Sequence, residues 1–166
     1  MRKYLATLIF ASSCFISTIA FAGPKVEFKT TLGNFVVELD SVKAPKTTAN
    51  FLNYVNRGAY TNSIIHRSVP GFVIQGGGYT TGMVYKTPTY ANITLESNNG
   101  LSNLRGTVAM ARTNVADSAS TQFFVNQADN LFLNYSSAAS PGYAVFGRVV
   151  SGLSVIDSIA LVPRNS

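Results

Sequence analysis

This sequence has few of the residues on which metal and disulfide chemistry depend. It contains one cysteine, one histidine and no tryptophan. A single cysteine cannot close an intramolecular disulfide, and these two residues cannot complete a zinc ribbon or any other site rich in cysteine or histidine. We therefore expect no metal and no cofactor, which leaves a function built on backbone groups, arginine and apolar pockets.

Charge is also scarce. Only 12% of the 166 residues are charged, about half of the roughly 25% that is typical of soluble domains. Apolar residues make up 46% of the chain, with 11 Phe and 8 Tyr. Intrinsic disorder requires low hydrophobicity and high charge, so most of the chain is expected to fold, and its length predicts one domain rather than two.

The first segment of the chain has the pattern of an export signal. Arg2 and Lys3 precede an uncharged apolar run over 4–21, which ends in an Ala-x-Ala pattern. This predicts a signal peptide over 1–22 and a mature domain over 23–166 that is exported to the periplasm. The alternative is a membrane anchor that is retained. Under the signal-peptide interpretation the mature domain has no stable membrane association and loses its only cysteine.

The basic excess does not form a nucleic-acid site. The full chain carries a formal net charge of +6. After Lys3, however, no two basic residues are adjacent, and no predicted helix has a basic stripe. We expect a mildly basic, solvated surface on a monomer that binds no nucleic acid.

Hydrophobic periodicity predicts a mainly β fold with two helices. Gly33-Asn34 is expected to form the turn of an opening hairpin over 26–40. Further strands are expected over 64–69, 72–75, 107–111, 122–126 and 144–150, and helices over 45–57 and 153–161. Residues 76–104 are expected to be surface loops with at most a short strand near 92–95, beginning with a tight strand exit at Gly76-Gly77-Gly78. Such strands favour closure into an antiparallel barrel with a helix at each end.

The string HRSVPGFVIQGG over 66–77 predicts a β-hairpin whose side chains could form a functional site. A three-residue loop of Pro70, Gly71 and Phe72 would place Arg67 opposite Gln75, so that a cation stands beside an amide on an apolar floor. A two-residue loop would place Arg67 opposite Ile74 instead, and the sequence leaves both open. A purely structural Arg–Gln pair is also compatible with the string.

A second strand has an unusual polar and aromatic face. In 122–126, a period of two places Gln122, Phe124 and Asn126 on one face and Phe123 and Val125 on the other. The sequence contains no G-x-S-x-G motif, and its only histidine, His66, lies next to Arg67 inside a predicted strand, so a serine hydrolase triad is not indicated.

These strings together resemble one family. HRSVPGFVIQGG over 66–77, GTVAMAR over 106–112 and STQFF over 120–124 are similar to segments of the cyclophilins, the peptidyl-prolyl cis-trans isomerases, and most of all to the exported bacterial members. The resemblance covers essentially all of 25–162. It implies an eight-stranded closed antiparallel β-barrel capped by two helices, with a groove on its outer wall that holds an X-Pro segment. The family's last strand, which pairs with the first, has no counterpart here.

The resemblance also implies the roles of particular residues. Arg67 would be the catalytic cation. Phe132 stands where many eukaryotic members have Trp, and Tyr143 where they have His, so cyclosporin binding is expected to be possible but weakened by Phe132. The remaining substrate-binding residues that it implies are Phe72, Val73, Phe124 and Leu133 in the proline pocket, Gln75 and Gln122 along it, and the backbone of Ala111 and Arg112 against the peptide.

The function that follows is acceleration of X-Pro rotation in unfolded or flexible exported chains, which assists their folding. The alternative is a binding module that holds proline-containing segments without catalysis. Retention of Arg67 together with Gln75 and Gln122 favours the enzyme, because a pure binder could keep Phe124 and lose Arg67.

Overall fold

A computed structural model of the chain describes residues 23–163. The expectations for 1–22 and for the last three residues therefore lie outside the described residues. The elements, in chain order, are β1 (Lys25–Thr30), β2 (Gly33–Leu39), α1 (Pro45–Asn56), β3 (Ser63–Val69), β4 (Val73–Thr80), β5 (Thr107–Met110), β6 (Phe123–Asn126), a 3-10 turn (Leu131–Leu133), β7 (Val145–Ser151) and α2 (Leu153–Ala160).

The strands form one antiparallel sheet with two helices, as the sequence predicts. The strand order is β1-β2-β7-β5-β6-β4-β3, and the sheet curls into a half-barrel. The expected closure does not occur among residues 23–163, because β1 and β3 are the two ends of the order and are not paired with each other. The correction concerns closure alone, since the mainly β architecture is confirmed.

The inner face of the sheet carries the hydrophobic core. Phe123 packs edge-on against Phe28 and Phe51, with ring centroids 5.3 and 5.8 Å apart. Helix α1 contributes Phe51 to this cluster, and α2 contributes Ile156, which is fully buried. Both helices therefore cover the inner face and leave the outer face of the sheet open.

Helix α1 begins where the sequence predicts, with Pro45 in its first turn. Its first backbone N–H groups have no partner inside the helix. The Glu96 carboxylate accepts hydrogen bonds from the N–H groups of Lys46 (3.1 Å) and Thr47 (2.8 Å). A side chain from a distant loop therefore caps the helix and ties that loop to α1.

Two local predictions are wrong. The turn of the first hairpin is Thr31-Leu32, and Gly33 opens β2 with φ of +122°, where the Val155 side chain would lie 3.0 Å from an added Cβ. Near 92–95 the structure has a single bridge, between Ile93 and Ala119, which agrees with the expectation of at most a short strand. Gly76-Gly77-Gly78 lies inside β4 and is not an exit from it.

The structure also shows why β4 contains glycines. A Cβ at Gly76 would lie 2.7 Å from Cδ1 of Ile65, and a Cβ at Gly78 would lie 2.6 Å from the amide carbon of Gln122. Neighbouring side chains therefore approach the backbone of this continuous strand closely at both positions, and a larger residue there would force them to shift. Within the described part of the chain, neither helix has the length and apolar character needed to cross a membrane.

Candidate active site

The hairpin of β3 and β4 carries the catalytic candidate. Its register pairs Val69 with Val73 and Arg67 with Gln75. The loop between the strands therefore has three residues, and this confirms the first of the two alternatives that the sequence left open. Arg67 and Gln75 lie side by side on one face of the sheet.

A β-bulge decides which face that is. Ile65 pairs with Gly76 while Arg67 pairs with the next β4 residue, Gln75, so His66 is an extra residue in β3. Residues two apart in a regular strand share a face, and an extra residue reverses this alternation. Ile65 therefore packs against the inner core, whereas Arg67 borders a groove on the outer face.

The outer face contains a groove of about 250 Å³. Nine residues line it, and every one of them was a candidate from the sequence: Arg67, Phe72, Val73, Gln75, Ala111, Arg112, Phe124, Leu133 and Tyr143. They come from three strands, from the loop between β3 and β4, from the segment after β5, and from the 3-10 turn and the segment that follows it. Only the fold brings together these positions, which are far apart in the chain.

The floor of the groove is an apolar slot, defined here by Phe72, Val73, Phe124 and Leu133. Val73 and Phe124 are buried, with 2% and 4% of their surface exposed, and Phe72 and Leu133 pack against them. Phe124 also meets the ring of Tyr143 edge-on, at a centroid distance of 5.5 Å. The slot is therefore a preformed apolar surface that suits a small ring.

The Arg67 side chain stands at the edge of this slot and is exposed. Its guanidinium carbon lies 5.6 Å from the centroid of the Phe72 ring, which is within the range of a cation–π contact. Among residues 23–163, no carboxylate lies within 4 Å of this guanidinium. Its positive charge is therefore not neutralised by the protein and faces the groove.

Two hydrogen-bonded glutamines lie next to Arg67. The side-chain amide of Gln75 donates to the side-chain oxygen of Gln122 at 3.0 Å. Gln122 does not itself line the groove. Its part in the arrangement is to fix the orientation of Gln75, and the absence of a side chain at Gly78 leaves the space that Gln122 occupies.

Phe132 lies outside the slot, beside it. The side chain is 73% exposed and stacks on Phe72, with ring centroids 5.7 Å apart and planes 18° apart. The next residue, Leu133, points into the groove from the same 3-10 turn. Phe132 therefore supports one wall of the slot and presents an open aromatic surface beside it.

The segment after β5 forms the border of the groove that lies opposite Arg67. The N–H of Ala111 donates to the Gln122 carbonyl at 2.9 Å and is not free to hold a peptide. The Arg112 side chain donates from Nε to the Gly142 carbonyl (2.9 Å) and lies 4.7 Å from the centroid of the Tyr143 ring. Arg112 therefore contributes a fixed guanidinium to the groove, in addition to the backbone role implied by the resemblance.

A buried asparagine network supports the slot from below, and sequence reasoning did not find it. The side-chain amide of Asn130 donates to the Phe72 carbonyl (3.0 Å) and to the Asn126 side-chain oxygen (2.8 Å). Asn126 donates in turn to the Asn103 side-chain oxygen (3.2 Å), and Asn103 donates to the Leu133 carbonyl (3.2 Å). The three asparagines thus link the backbone at two walls of the slot.

These asparagines are 0–4% exposed. A buried amide without partners is costly, so such residues hold their positions through complete hydrogen bonding. The available signal was the polar residue Asn126 among apolar neighbours in β6. Its partners Asn103 and Asn130 lie in loops, where asparagine is common, and nothing in the sequence pattern pointed to them.

His66, the extra residue of the bulge, does not line the groove, and its ring packs on Tyr79 with the ring centroids 4.6 Å apart. Burial, and secondly the charge of Arg67, lower the pKa of His66 below its usual value. The imidazole is therefore neutral near pH 7 and does not compete with Arg67 for an anion.

The outer face of the curled antiparallel sheet thus carries an apolar slot bordered by arginine and amide groups. These features are typical of a protein that binds a small apolar ring next to polar backbone. The chain matches the family model of cyclophilin type peptidyl-prolyl cis-trans isomerases over residues 25–166. It belongs to this family.

Several relatives are close in sequence. The chain is 52% identical over 151 residues to a peptidyl-prolyl cis-trans isomerase of Acinetobacter baylyi, covering 91% of this chain and 79% of the relative. It is 44% identical to peptidyl-prolyl cis-trans isomerase A of Dickeya dadantii, covering 97% and 85%. It is 50% identical to peptidyl-prolyl cis-trans isomerase B of Escherichia coli, covering 81% and 82%.

A solved structure has the same fold. A cyclophilin type peptidyl-prolyl cis-trans isomerase of Cryptosporidium parvum, determined in the presence of the dipeptide Ala-Pro, superposes with a TM-score of 0.73 at 27% identity. The match covers 86% of this chain and 88% of that one.

Proposed function

We propose that this cyclophilin-type peptidyl-prolyl cis-trans isomerase binds the proline ring of an X-Pro segment in the apolar slot and uses Arg67 to stabilise the twisted amide. The observation that carries this proposal is the placement, at the edge of a buried apolar slot on the outer face of the sheet, of a guanidinium with no carboxylate partner among the described residues. The determination of the Cryptosporidium relative in the presence of the dipeptide Ala-Pro supports a proline-containing ligand.

The physical basis is the electronic change during rotation. The barrier to rotation, about 18–20 kcal/mol, comes from resonance that delocalises the nitrogen lone pair. In the twisted state this pair is localised on nitrogen. A guanidinium held against it then interacts more favourably than it does with the planar ground state, so the transition state is bound more tightly than the substrate.

The slot and the glutamines assist this effect. Burying the proline ring against Phe72, Phe124 and Leu133 removes water from the reacting bond, and a lower local dielectric strengthens the interaction with Arg67. The Gln75 amide, fixed by Gln122, is a further polar group next to the same site. No covalent step or proton transfer is required.

We further propose that the substrates are unfolded or flexible proline-containing chains in an exported, periplasmic setting, and that the protein acts as a monomer. The support for export is the sequence pattern over 1–22. The open groove supports extended substrates, because it is bordered on two sides and accessible along the outer face of the sheet.

The test of the proposed function is Arg67→Ala in the purified protein. We expect kcat/KM on a proline peptide to fall at least about tenfold, a loss of about 1.4 kcal/mol of transition-state stabilisation, with an unchanged thermal melt. Arg67→Lys retains the charge without the planar fork and should recover only part of the rate.

The outcomes distinguish an enzyme from a binding module that uses the same groove. Wild-type protein that binds the peptide without accelerating its isomerisation would be a binding module. Unchanged turnover in Arg67→Ala would remove Arg67 from the mechanism.

We also propose that cyclosporin binds weakly because residue 132 is Phe. Phe132 is exposed beside the slot and has no indole N–H to offer a ligand. Phe132→Trp is expected to tighten cyclosporin binding about tenfold with turnover nearly unchanged. Calorimetric titration of both proteins measures the difference, and equal affinities would show that residue 132 does not control the response.

A further inference from the structure

Two guanidinium groups border the groove on opposite sides. Arg67 lies on β3, and Arg112 lies two residues beyond the end of β5. The strands between them are β4 and β6, so the backbones that carry the two arginines are separated by three strand spacings, or about 14 Å. Both side chains line the same groove.

No acidic residue balances these charges within the groove. Of the nine described residues that line it, none is Asp or Glu. The chain has only seven acidic residues in all, and their contacts lie elsewhere. Glu38 pairs with Arg148 and Asp157 pairs with Arg105, while Glu96 caps α1. The other four acidic residues accept hydrogen bonds outside the groove: Glu27 from Asn34, Asp40 from Lys43, Asp117 from Leu95 and Asp129 from Arg105.

The Arg112 guanidinium is held in place but keeps binding capacity. Its Nε donates to the Gly142 carbonyl and its Nη1 donates to the Thr113 carbonyl, both at 2.9 Å. Its third nitrogen, Nη2, has no hydrogen-bond partner among residues 23–163. A planar guanidinium fixed on two sides has already lost much of its side-chain freedom, so binding an anion with the third costs little further entropy.

Arg112 is also close to the slot. Its guanidinium carbon lies 4.7 Å from the centroid of Tyr143, which lies 5.5 Å from the centroid of Phe124. The charge is therefore within about 10 Å of the ring on which the proline is proposed to sit. An extended peptide rises about 3.3 Å per residue, so the side chain of a residue one or two positions from the proline can reach it.

We propose that Arg112 determines specificity, and that this enzyme prefers X-Pro segments with a carboxylate side chain one or two residues before the proline. This inference rests on the proposed function of the groove. A substrate carboxylate would accept a charge-assisted hydrogen bond from Nη2 and would lie in the positive potential of both arginines. A lysine at the same position would be disfavoured by the same potential.

The test uses three peptides that differ only at one position, which carries Glu, Gln or Lys, placed first one and then two residues before the proline. Isomerisation is measured by NMR exchange, which avoids the sequence preference of a coupling protease. For at least one of the two positions we expect kcat/KM in the order Glu, Gln, Lys, with about threefold to fivefold between Glu and Gln at low salt. The contrast should shrink at high salt, because screening weakens an exposed ion pair.

Variants assign the effect to one residue. In Arg112→Gln the ratio of the Glu to the Gln peptide is expected to fall to about one, whereas Arg112→Lys should retain part of it. Arg57→Gln is the matched control. It removes the same charge from an exposed arginine whose guanidinium contacts Tyr90 and lies outside the groove, so the ratio should stay at its wild-type value.

The outcomes distinguish this inference from the proposed function. Equal rates for the Glu, Gln and Lys peptides, with turnover that depends on Arg67, would overturn the acidic preference and leave the isomerase site intact. Loss of the preference in Arg57→Gln would show that it arises from overall charge and not from Arg112. Failure of the wild-type protein to accelerate any of the peptides would overturn the proposed function itself.

Discussion

The two faces of the sheet use neighbouring residues for different purposes. Phe123 faces the inner core, where helices and three other aromatic rings surround it. Phe124, the next residue, faces the outer groove, where only a small apolar cluster packs around it. Both side chains are buried. The comparison shows that burial alone does not separate a structural residue from a functional one. The difference depends on whether helices or only part of a loop layer cover the face on which the residue lies.

The difference between the faces lies in what covers them. The inner face is closed by α1 and α2, so its apolar surface is fully used in folding. The outer face is covered only in part, by loops that carry Leu133 and Tyr143. Apolar surface that the protein leaves uncovered there remains available to a ligand.

The sharpest way to break this comparison is to truncate each phenylalanine separately. Phe123→Ala is expected to lower the free energy of unfolding by about 3–5 kcal/mol, because it removes a ring from a closed core. Phe124→Ala should cost less stability, since the groove can admit water, but should lower kcat/KM more than tenfold. Urea unfolding and turnover of both variants measure the contrast. Similar stability losses together with unimpaired turnover in Phe124→Ala would contradict the division of the sheet into two faces.

A second prediction concerns the support beneath the groove. Asn130→Ala removes the donor to the Phe72 carbonyl and leaves Asn126 without one partner. We expect a loss of about 1–3 kcal/mol in the free energy of unfolding. We also expect KM to rise more than kcat falls, because Asn130 shapes the wall of the slot without touching the reacting bond.

The matched variant is Ser154→Ala. Its side chain lies in α2 and does not line the groove, so the substitution should leave KM unchanged. If Asn130→Ala lowered stability but left KM at its wild-type value, the asparagine network would be a structural feature only.

The smallest expected effect is a dependence of stability on pH through His66. The folded protein lowers the pKa of His66, chiefly by burial and then by the charge of Arg67. The folded state thus binds a proton less readily than the unfolded chain, so this contribution is fully present above the unfolded pKa of about 6.5. It is lost as the pH falls through that value toward the lower folded pKa.

The measurement is the thermal midpoint between pH 7.5 and 5. The wild-type midpoint should fall over this interval, and His66→Gln should flatten the profile. A wild-type profile with the same slope as that of the variant would show that protonation of His66 does not affect the stability of the fold.

Much of the site was predictable because its residues occur in two compact strings. The period of two placed Phe123 and Phe124 on opposite faces, and the structure confirms this assignment. The placement of Arg67 opposite Gln75 was one of two alternatives, because the length of a turn is not fixed by the letters Pro-Gly. The register of the paired strands selected it.

Other features could not be predicted because they depend on distant neighbours. The bulge at His66 is set by pairing with β4, and a regular alternation would have placed Ile65 and Arg67 on the same face. The glycines of β4 resemble a strand exit in the sequence, yet they lie inside the strand, where Ile65 of β3 and Gln122, just before β6, approach two of them closely.

By itself the sequence determined the class of fold, the helix and strand segments and the residue types available for chemistry, because these follow from local periodicity and composition. The tertiary structure decided that the sheet remains open among the described residues, that Arg67 faces the groove, and that Arg112 stands across from it. These facts depend on pairing, bulges and packing between residues far apart in the chain. Such contacts are long-range interactions, and no local pattern encodes them.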